Sequence, residues 1–253
     1  MPRVETGESV LARAVRIVEA FAVDDTLLTV SEIARRARLP ISTASRLIDH
    51  LVGLGWLERE HREVRIGVRL WEVASRASPT VTLREAAMPF LEDLHDAVGH
   101  HIQLGVLEGR EVLFVERLSA RGAAVNYTRV AGRLPLHASS SGLVLLAHGT
   151  PALQTQILTA PLKTFTDKTI STASELRAAL AEVRARGYAL CAGHIFPETT
   201  GIAVPVWKDR QEVIAALSVI VPNDHNAYTQ IPALLSTARG ITRTMAAATR
   251  PRP

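Results

Sequence analysis

The sequence is poor in cysteine, since Cys191 is the only one among 253 residues. An internal disulfide is therefore excluded. No run of apolar residues is long enough to span a bilayer, and we predict no membrane partner. The first residues carry an acid and no apolar segment follows them, so we expect no signal peptide and a cytoplasmic protein. The composition, 47% hydrophobic and 21% charged, is typical of a soluble globular protein.

The sequence also lacks the usual catalytic motifs. It contains no Gly-x-Ser-x-Gly, no P-loop, no dinucleotide fingerprint and no His-Glu-x-x-His. We therefore predict no catalytic residue, no cofactor and no metal. One alternative is an enzyme in which Cys191 is a nucleophile with His194 nearby, although a lone cysteine on a strand is more often inert. Zinc binding that uses His194 is another, but the adjacent His100 and His101 would point to opposite faces of a strand.

The distribution of charge is more informative than the net value of +4. Through residue 67 the arginines and the acids balance. Between Arg35 and Arg46, however, there are four arginines and no acid. Any contact between this segment and DNA phosphates would have to come from that local patch.

The N-terminal pattern predicts three helices. Apolar residues at three- and four-residue spacing predict a first helix over residues 9–22. Thr29, three residues before Glu32, predicts a capping box at the start of a second helix. That helix should stop near Arg38, because Pro40 disfavours helical geometry in the residue before it. A third helix is predicted from residue 41 to residue 54.

Two short β-prone pieces, residues 56–59 and 63–66, flank a charged turn and predict a two-stranded wing. With the helices they indicate a winged helix-turn-helix, in which the third helix would enter the major groove of double-stranded DNA. Arg46 could donate two hydrogen bonds to guanine. The predicted DNA-binding residues are Arg35, Ser42, Thr43, Ser45, Arg46, His50 and Arg62. The same pattern also leaves Arg36 on the outside. The alternatives are two ordinary helices with a solvated arginine face, or a module that binds protein.

The rest of the chain predicts a larger domain of mixed helix and sheet. We expect a DNA-binding domain over residues 1–67, a linker helix within residues 68–80 that is broken near residue 78, and a second domain over residues 81–253. Helices are predicted at residues 83–98, 143–148, 174–186 and 231–247. Strands are predicted at residues 101–107, 112–118, 125–129, 188–191, 201–207 and 213–221.

Several stretches resemble the IclR family of bacterial regulators in order and spacing. They are residues 9–14, 28–34, 39–47, 55–57, 66–67, 134–139, 186–189 and 202–206. The resemblance implies an α+β protein with an N-terminal winged helix-turn-helix and a C-terminal GAF-like α/β effector-binding domain. It implies a transcription regulator that binds operator DNA as a homodimer or homotetramer and responds to a small molecule.

The sequence departs from this family where the effector would bind. The family usually has acids shortly after the stretch that ends at Ala189; here the chain has Cys191 and His194. Gly201 stands where the family often has a cysteine, and Ile220 replaces a serine. We therefore expect a less acidic pocket that suits an organic acid, aromatic or aliphatic, with help from His194 or Arg129. The predicted lining is Ser140, Ser141, Cys191, His194, Gly201 and Ser218, each of which could instead serve sheet packing, a turn or a helix cap.

Overall fold

The computed structural model describes residues 8–22, 24–76, 79–120, 122, 128–208 and 211–248. These residues form two compact units, one up to Val81 and one from Thr82 onward. Within the described ranges, no helix combines the length and the apolar character needed to cross a membrane.

The first unit is built on three helices, α1 (Val10–Glu19), α2 (Val30–Arg36) and α3 (Ile41–Gly53). The predicted capping box is confirmed. The Thr29 hydroxyl accepts a hydrogen bond from the Glu32 amide at 3.3 Å, and the Glu32 carboxylate accepts one from the Thr29 amide at 2.9 Å. These hydrogen bonds from Thr29 lower the pKa of Glu32. The two residues satisfy amides that the first helical turn would otherwise leave without partners.

The turn between α2 and α3 is tight. Arg38 adopts a left-handed conformation with φ 53°, and the Leu39 amide donates to the Ala34 carbonyl at 2.9 Å. The second helix therefore ends just before the predicted residue, and Pro40 directly precedes α3. The inward faces of α2 and α3 close a core with α1, whose fully buried residues include Ile17, Ile33, Ala44 and Ile48.

The wing consists of β2 (Leu57–Glu60) and β3 (Glu63–Ile66), which reverse direction at His61. The prediction of two strands was incomplete, because β1 (Leu28–Thr29) also pairs with β3 and gives the order β1-β3-β2. Two residues are too few to show the alternation by which a strand is recognised.

Two helices follow, α4 (Val68–Ser75) and α5 (Pro79–Val98). The predicted start of the second one at residue 83 was wrong. The fixed φ of proline suits the first turn of a helix. Proline also has no amide hydrogen, and amides in the first turn have no partner within the helix, so Pro79 can begin α5. Residue 78, which was predicted to break the chain, lies outside the described residues.

The second unit contains a six-stranded antiparallel sheet in the order β6-β5-β4-β9-β8-β7. The strands are β4 (His101–Glu108), β5 (Glu111–Leu118), β6 (Arg133–Pro135), β7 (Ala189–Ala192), β8 (Thr199–Trp207) and β9 (Val213–Pro222). The remaining helices are α6 (Ser140–Ala147), α7 (Pro151–Leu158), α8 (Ala173–Arg186) and α9 (Ile231–Ala248). Of the strand predicted at residues 125–129, the first three residues lie outside the described part, and Thr128 and Arg129 are not in a strand.

Helices cover both faces of this sheet, so the unit has two apolar cores. One core joins α5 and α9 to the sheet through Ile202, Val204 and Val206 of β8. The other joins α6 and α8 to the opposite face through Ala203 of the same strand. This alternation along β8 is the pattern expected of a strand that is buried on both faces.

Candidate functional site

The outward face of α3 carries the predicted DNA-reading residues. Ser42 and Arg46 are exposed, and Thr43 and Ser45 are half-buried. Across the described part of the first unit, no salt bridge engages Arg35, Arg46 or Arg62. These guanidinium groups are therefore available to phosphates or to base edges.

Arg36 has a different role from the arginines around it. Its guanidinium pairs with Asp25 and donates to the Ala20 carbonyl at 3.0 Å. The hydrogen bond from Arg36 is the main cause of a lowered pKa at Asp25. Although the sequence left Arg36 among the outward residues, the structure uses it to hold α2 to the loop after α1.

The wing arginines are neutralised except at the tip. Arg59 pairs with Asp49 of α3 at 2.6 Å, and Arg65 pairs with Glu58 at 2.8 Å. Arg62, at the turn, is exposed and has no salt bridge within the described part of the first unit. His50 is also exposed, and it borders a groove between α1 and α3 together with Leu47 and Leu54.

A cavity in the second unit collects five of the six predicted effector residues. Its empty volume, which includes open solvent at its mouth, is about 460 Å³, and it lies between α6, the sheet and the loop that joins β7 to β8. The five residues that line it are Ser140, Ser141, Cys191, His194 and Gly201. Arg129, the other cation considered from the sequence, is not among the lining residues.

The beginning of α6 forms the polar end of the cavity. The Ser139 hydroxyl caps the helix by accepting from the Gly142 amide at 3.1 Å. A side chain at Gly142 would collide with the Leu136 backbone, so only glycine lets the helix approach so closely. The hydroxyls of Ser140 and Ser141 and their first-turn amides are consequently held at the cavity wall.

Ser218 does not line the cavity and corrects the sequence prediction. It is fully buried on β9, and its hydroxyl accepts a hydrogen bond from Ser141 at 2.9 Å. Ser218 therefore contacts the cavity only through Ser141. Helix α6 covers the sheet face on which Ser218 lies. Ser218 is therefore one layer deeper than Ser141, the helix residue in front of it.

Gly201 provides space at the same end. A Cβ atom at this position would lie 2.9 Å from the Ser140 hydroxyl oxygen, well inside normal contact. The missing side chain therefore makes room for that hydroxyl.

The loop after β7 forms the opposite wall and is held by two threonines. Thr166 donates to the Gly193 carbonyl at 2.6 Å, and Thr169 donates to the His194 carbonyl at 2.6 Å. The buried Nδ1 of His194 has no hydrogen-bond partner in the described structure. Burial lowers the pKa of His194, so its imidazole is neutral at pH 7.

Cys191 is a wall residue with an inert thiol. Burial raises the pKa of Cys191 to about 12, so the thiol stays protonated at neutral pH. Since the thiolate is the nucleophile, this argues against the enzyme alternative. Among the described residues, no three His, Cys, Asp or Glu side chains cluster as metal ligands would.

Several lining residues were not predicted from the sequence. Gln103 on β4 is buried and its Nε2 has no partner, while Phe114 and Phe196 supply aromatic walls and Ile220 an apolar one. Gln103 had a detectable signal, because it is a polar residue between the apolar Ile102 and Leu104. An amide buried without a partner is costly, so Gln103 is a candidate donor to a molecule in the cavity.

Comparison with known families matches most of the chain. Residues 10–61 match the IclR helix-turn-helix domain, and residues 76–246 match the bacterial transcriptional regulator IclR C-terminal domain. The chain is 32% identical to the HTH-type transcriptional regulator XynR of Escherichia coli K12, over 87% of this chain and 86% of that protein. It is 26% identical to the Pca regulon regulatory protein of Pseudomonas putida, over 83% of this chain and 72% of that protein.

A solved structure adds information about ligands. An IclR homolog from Microbacterium hydrocarbonoxydans, crystallised in complex with 4-hydroxybenzoate, is 46% identical to this chain. It superposes with a TM-score of 0.92 and covers 94% of this chain and 100% of its own.

Proposed function

The chain belongs to the IclR family of bacterial transcriptional regulators, and on that premise we propose that a small aromatic acid of the hydroxybenzoate class controls it from the cavity beside α6. The observation that carries this proposal is the division of the cavity into a polar end and aromatic walls. The hydroxyls and amides of Ser140 and Ser141 form the polar end, and Phe114 and Phe196 flank the rest. The similarity to a protein that binds 4-hydroxybenzoate supports the same ligand class.

The carboxylate would be held by neutral donors. No lysine or arginine is present among the described lining residues, so the negative charge must be met by hydroxyls and by the positive end of the α6 dipole. A ring hydroxyl could reach Gln103 or His194, whose buried nitrogens have no partners. An aliphatic acid would leave these nitrogens and the aromatic walls unused, so we prefer the aromatic acid.

Isothermal titration of the full-length protein with 4-hydroxybenzoate, benzoate and hexanoate tests this proposal. We expect affinity to fall in that order. Ser140→Ala should weaken 4-hydroxybenzoate about tenfold, because a hydrogen bond to a charged group contributes about 1.5 kcal/mol. Thr155→Ala is a matched control on α7, where the hydroxyl donates to the Pro151 carbonyl away from the cavity. Equal affinities for all three acids, or no heat from any, would contradict the ligand class.

The same premise leads us to propose how the protein binds DNA. Helix α3 would lie in the major groove with Ser42, Thr43, Ser45 and Arg46 toward the bases, and Arg62 on the wing would contact the backbone. Arg35 would bind phosphate beside it. Gel-shift titration of the DNA upstream of this protein's own gene, at two salt concentrations, tests this. Each phosphate that the protein neutralises makes the affinity fall more steeply with salt. Binding that is insensitive to salt would favour the protein-binding alternative.

We further propose that the protein acts as a homo-oligomer in which α4 contributes to the contact between copies. Trp71 on α4 is 70% exposed and so does not belong to an intramolecular core. Large aromatic residues exposed in this way mark interaction surfaces. The proposed DNA-binding domain, residues 1–67, and effector domain, residues 81–253, then flank this linker. Sedimentation of Trp71→Glu against the parent protein tests the contact, and an unchanged mass would remove α4 from it.

A further inference from the structure

The second unit has another concave surface, which is larger than the effector cavity. The two share no lining residue among those that the structure describes. We call it the basic groove; it is bordered by the end of β8, the end of α8 and one side of α9. Its empty volume is about 1700 Å³. Along α9 it runs from Leu235 to Ala246, a length of about 16 Å at 1.5 Å per residue. That length suits a short chain segment better than a small molecule.

Charge on the basic groove has one sign. Four cationic side chains line it, and in the part of the chain that the structure describes no carboxylate does. They are Arg184, Lys208, Arg239 and Arg243. Lys208 is partly neutralised by Glu212 at 3.3 Å, whereas Arg239 and Arg243 lie one turn apart on α9 and are exposed. A partner with carboxylates spaced at one helical turn would match this pair.

The floor of the basic groove is apolar and rigid. Trp207 and Pro205 of β8 lie beside Leu235 and Ala238 of α9. The Trp207 indole meets the His148 ring edge-on at 4.9 Å between centroids, which fixes its orientation. The Nε2 atom of His148 is buried and has no partner in the described structure. An aromatic anchor with arginines around it is the usual composition of a protein-binding hot spot.

The backbone of β8 at this point cannot accept an added strand. Strand β7 pairs with β8 only as far as Ala203, so the next outward-facing positions are Pro205 and Trp207. Pro205 has no amide hydrogen, and the Trp207 amide already donates to the Thr242 hydroxyl at 3.2 Å. Recognition must therefore use side chains, as it does when an amphipathic helix lies in a groove.

We propose that the basic groove binds an acidic amphipathic helix of another protein, with the apolar face of that helix on Trp207 and its carboxylates on Arg239 and Arg243. This site is separate from the proposed DNA surface and from the effector cavity. It would give the regulator a protein partner in addition to its DNA and its ligand.

Selection of peptides tests the proposal even though the partner protein is unidentified. A random library of displayed peptides about 16 residues long, enough for the length of the groove, is selected on the full-length protein and counter-selected on R239E/R243E. We expect acid-rich sequences with apolar residues at helical spacing. Fluorescence anisotropy should then show affinity at least tenfold weaker for R239E/R243E and weaker at higher salt. The matched control R110E/R177E makes the same charge change outside the groove and should bind like the parent.

Three outcomes would overturn the proposal. Selection could return no peptide that distinguishes the parent from R239E/R243E, or it could return sequences without excess acid. The third is a change in sedimentation mass in R239E/R243E but not in R110E/R177E, which would assign the groove to contact between copies of this chain. Trp207→Ala, which keeps every charge, should also weaken the selected peptides, and unchanged binding would remove the apolar floor from the site.

Discussion

The two candidate sites handle polar groups in opposite ways. On the candidate DNA surface the arginines without acidic partners, such as Arg46, are solvated, whereas Arg36 and Arg59 are paired with acids. In the effector cavity the groups are neutral and buried, and two nitrogens, on Gln103 and His194, have no partner. Solvated charge is held at little cost, whereas a buried donor without an acceptor destabilises the protein that carries it. The first site therefore offers solvated groups of the kind that contact phosphates, whereas the second has buried nitrogens without partners among the described residues.

The largest expected effect concerns the backbone that builds the cavity. Gly142→Ala should lower the free energy of unfolding by about 3 kcal/mol, because the new methyl group collides with the Leu136 backbone. Gly53→Ala on α3 is the matched control, since nothing lies within 4 Å of its added Cβ, and alanine is the better helix former. Thermal unfolding measures both. Equal loss in the two variants would show that the close approach of α6 is not what constrains this glycine.

A smaller effect is expected on the DNA surface. Arg46→Ala should weaken operator binding by about 2 kcal/mol and relax base preference, while leaving thermal stability unchanged, because Arg46 makes no salt bridge within the described structure. The comparison variant is Arg59→Ala, which breaks the pair with Asp49 and should affect base preference less. Quantitative gel shifts on operator and scrambled duplexes separate the two. If Arg59→Ala proves the more damaging for base preference, the assignment of roles is reversed.

Gln103 provides a test in which stability and binding change in opposite directions. Gln103→Met should raise the melting temperature of the ligand-free protein, because it removes a buried amide that lacks a partner. It should weaken 4-hydroxybenzoate by about tenfold if the amide meets the ring hydroxyl. Gln154→Met is the contrasting variant, since the Gln154 amide donates to the carbonyls of Leu146 at 3.0 Å and Gly149 at 3.2 Å. That variant should melt earlier with unchanged affinity. Both variants melting earlier would mean that Gln103 is satisfied in the free protein.

The smallest expected effect is a pH dependence. Burial depresses the pKa of His194 in the folded protein below its unfolded value of about 6.5. The unfolded chain therefore binds protons first as the pH falls, and stability is lost below pH 6.5 until the folded pKa is reached. His148, whose pKa is lowered by burial and then by Arg184, acts in the same direction. Melting temperatures from pH 8 to pH 5.5 should fall less steeply in His194→Gln than in the parent. Parallel curves would show that His194 does not contribute.

The same contrast explains what could be predicted from the sequence. Local rules govern the first unit: a capping box, a proline and helical spacing define α2 and α3 within a few residues. The exposure of Ser42 and Arg46 followed from the helical spacing of α3. What was missed there, β1, is a pairing of two residues with a strand over thirty positions later. Short non-local pairs leave no periodicity for a sequence reader to detect.

The cavity depends on contacts between residues that are far apart in the chain. Its wall combines residues from Gln103 to Ile220, and only the packing of α6 on the sheet brings them together. The family resemblance supplied the serines, Cys191, His194 and Gly201. It could not show that Ser218 lies behind Ser141, or that Phe114 and Phe196 face the same space, because the depth of a residue in a layered fold is not a property of its own segment. Helix α7 was missed although its start carries a sequence signal, since Thr150 caps it and Pro151 lies in its first turn.

The pair formed by Ser141 and Ser218 has a consequence for how the pocket tells an anion from a neutral guest. Each hydroxyl has one proton to give and two lone pairs to receive with. While Ser141 gives its proton to Ser218, it presents only lone pairs to the cavity and repels a carboxylate. Rotation of both hydroxyls reverses the direction, so that Ser218 gives to Ser141 and Ser141 gives to the guest. A carboxylate bound at Ser141 would then change the hydrogen bonding of Ser218, one layer deeper, without touching it.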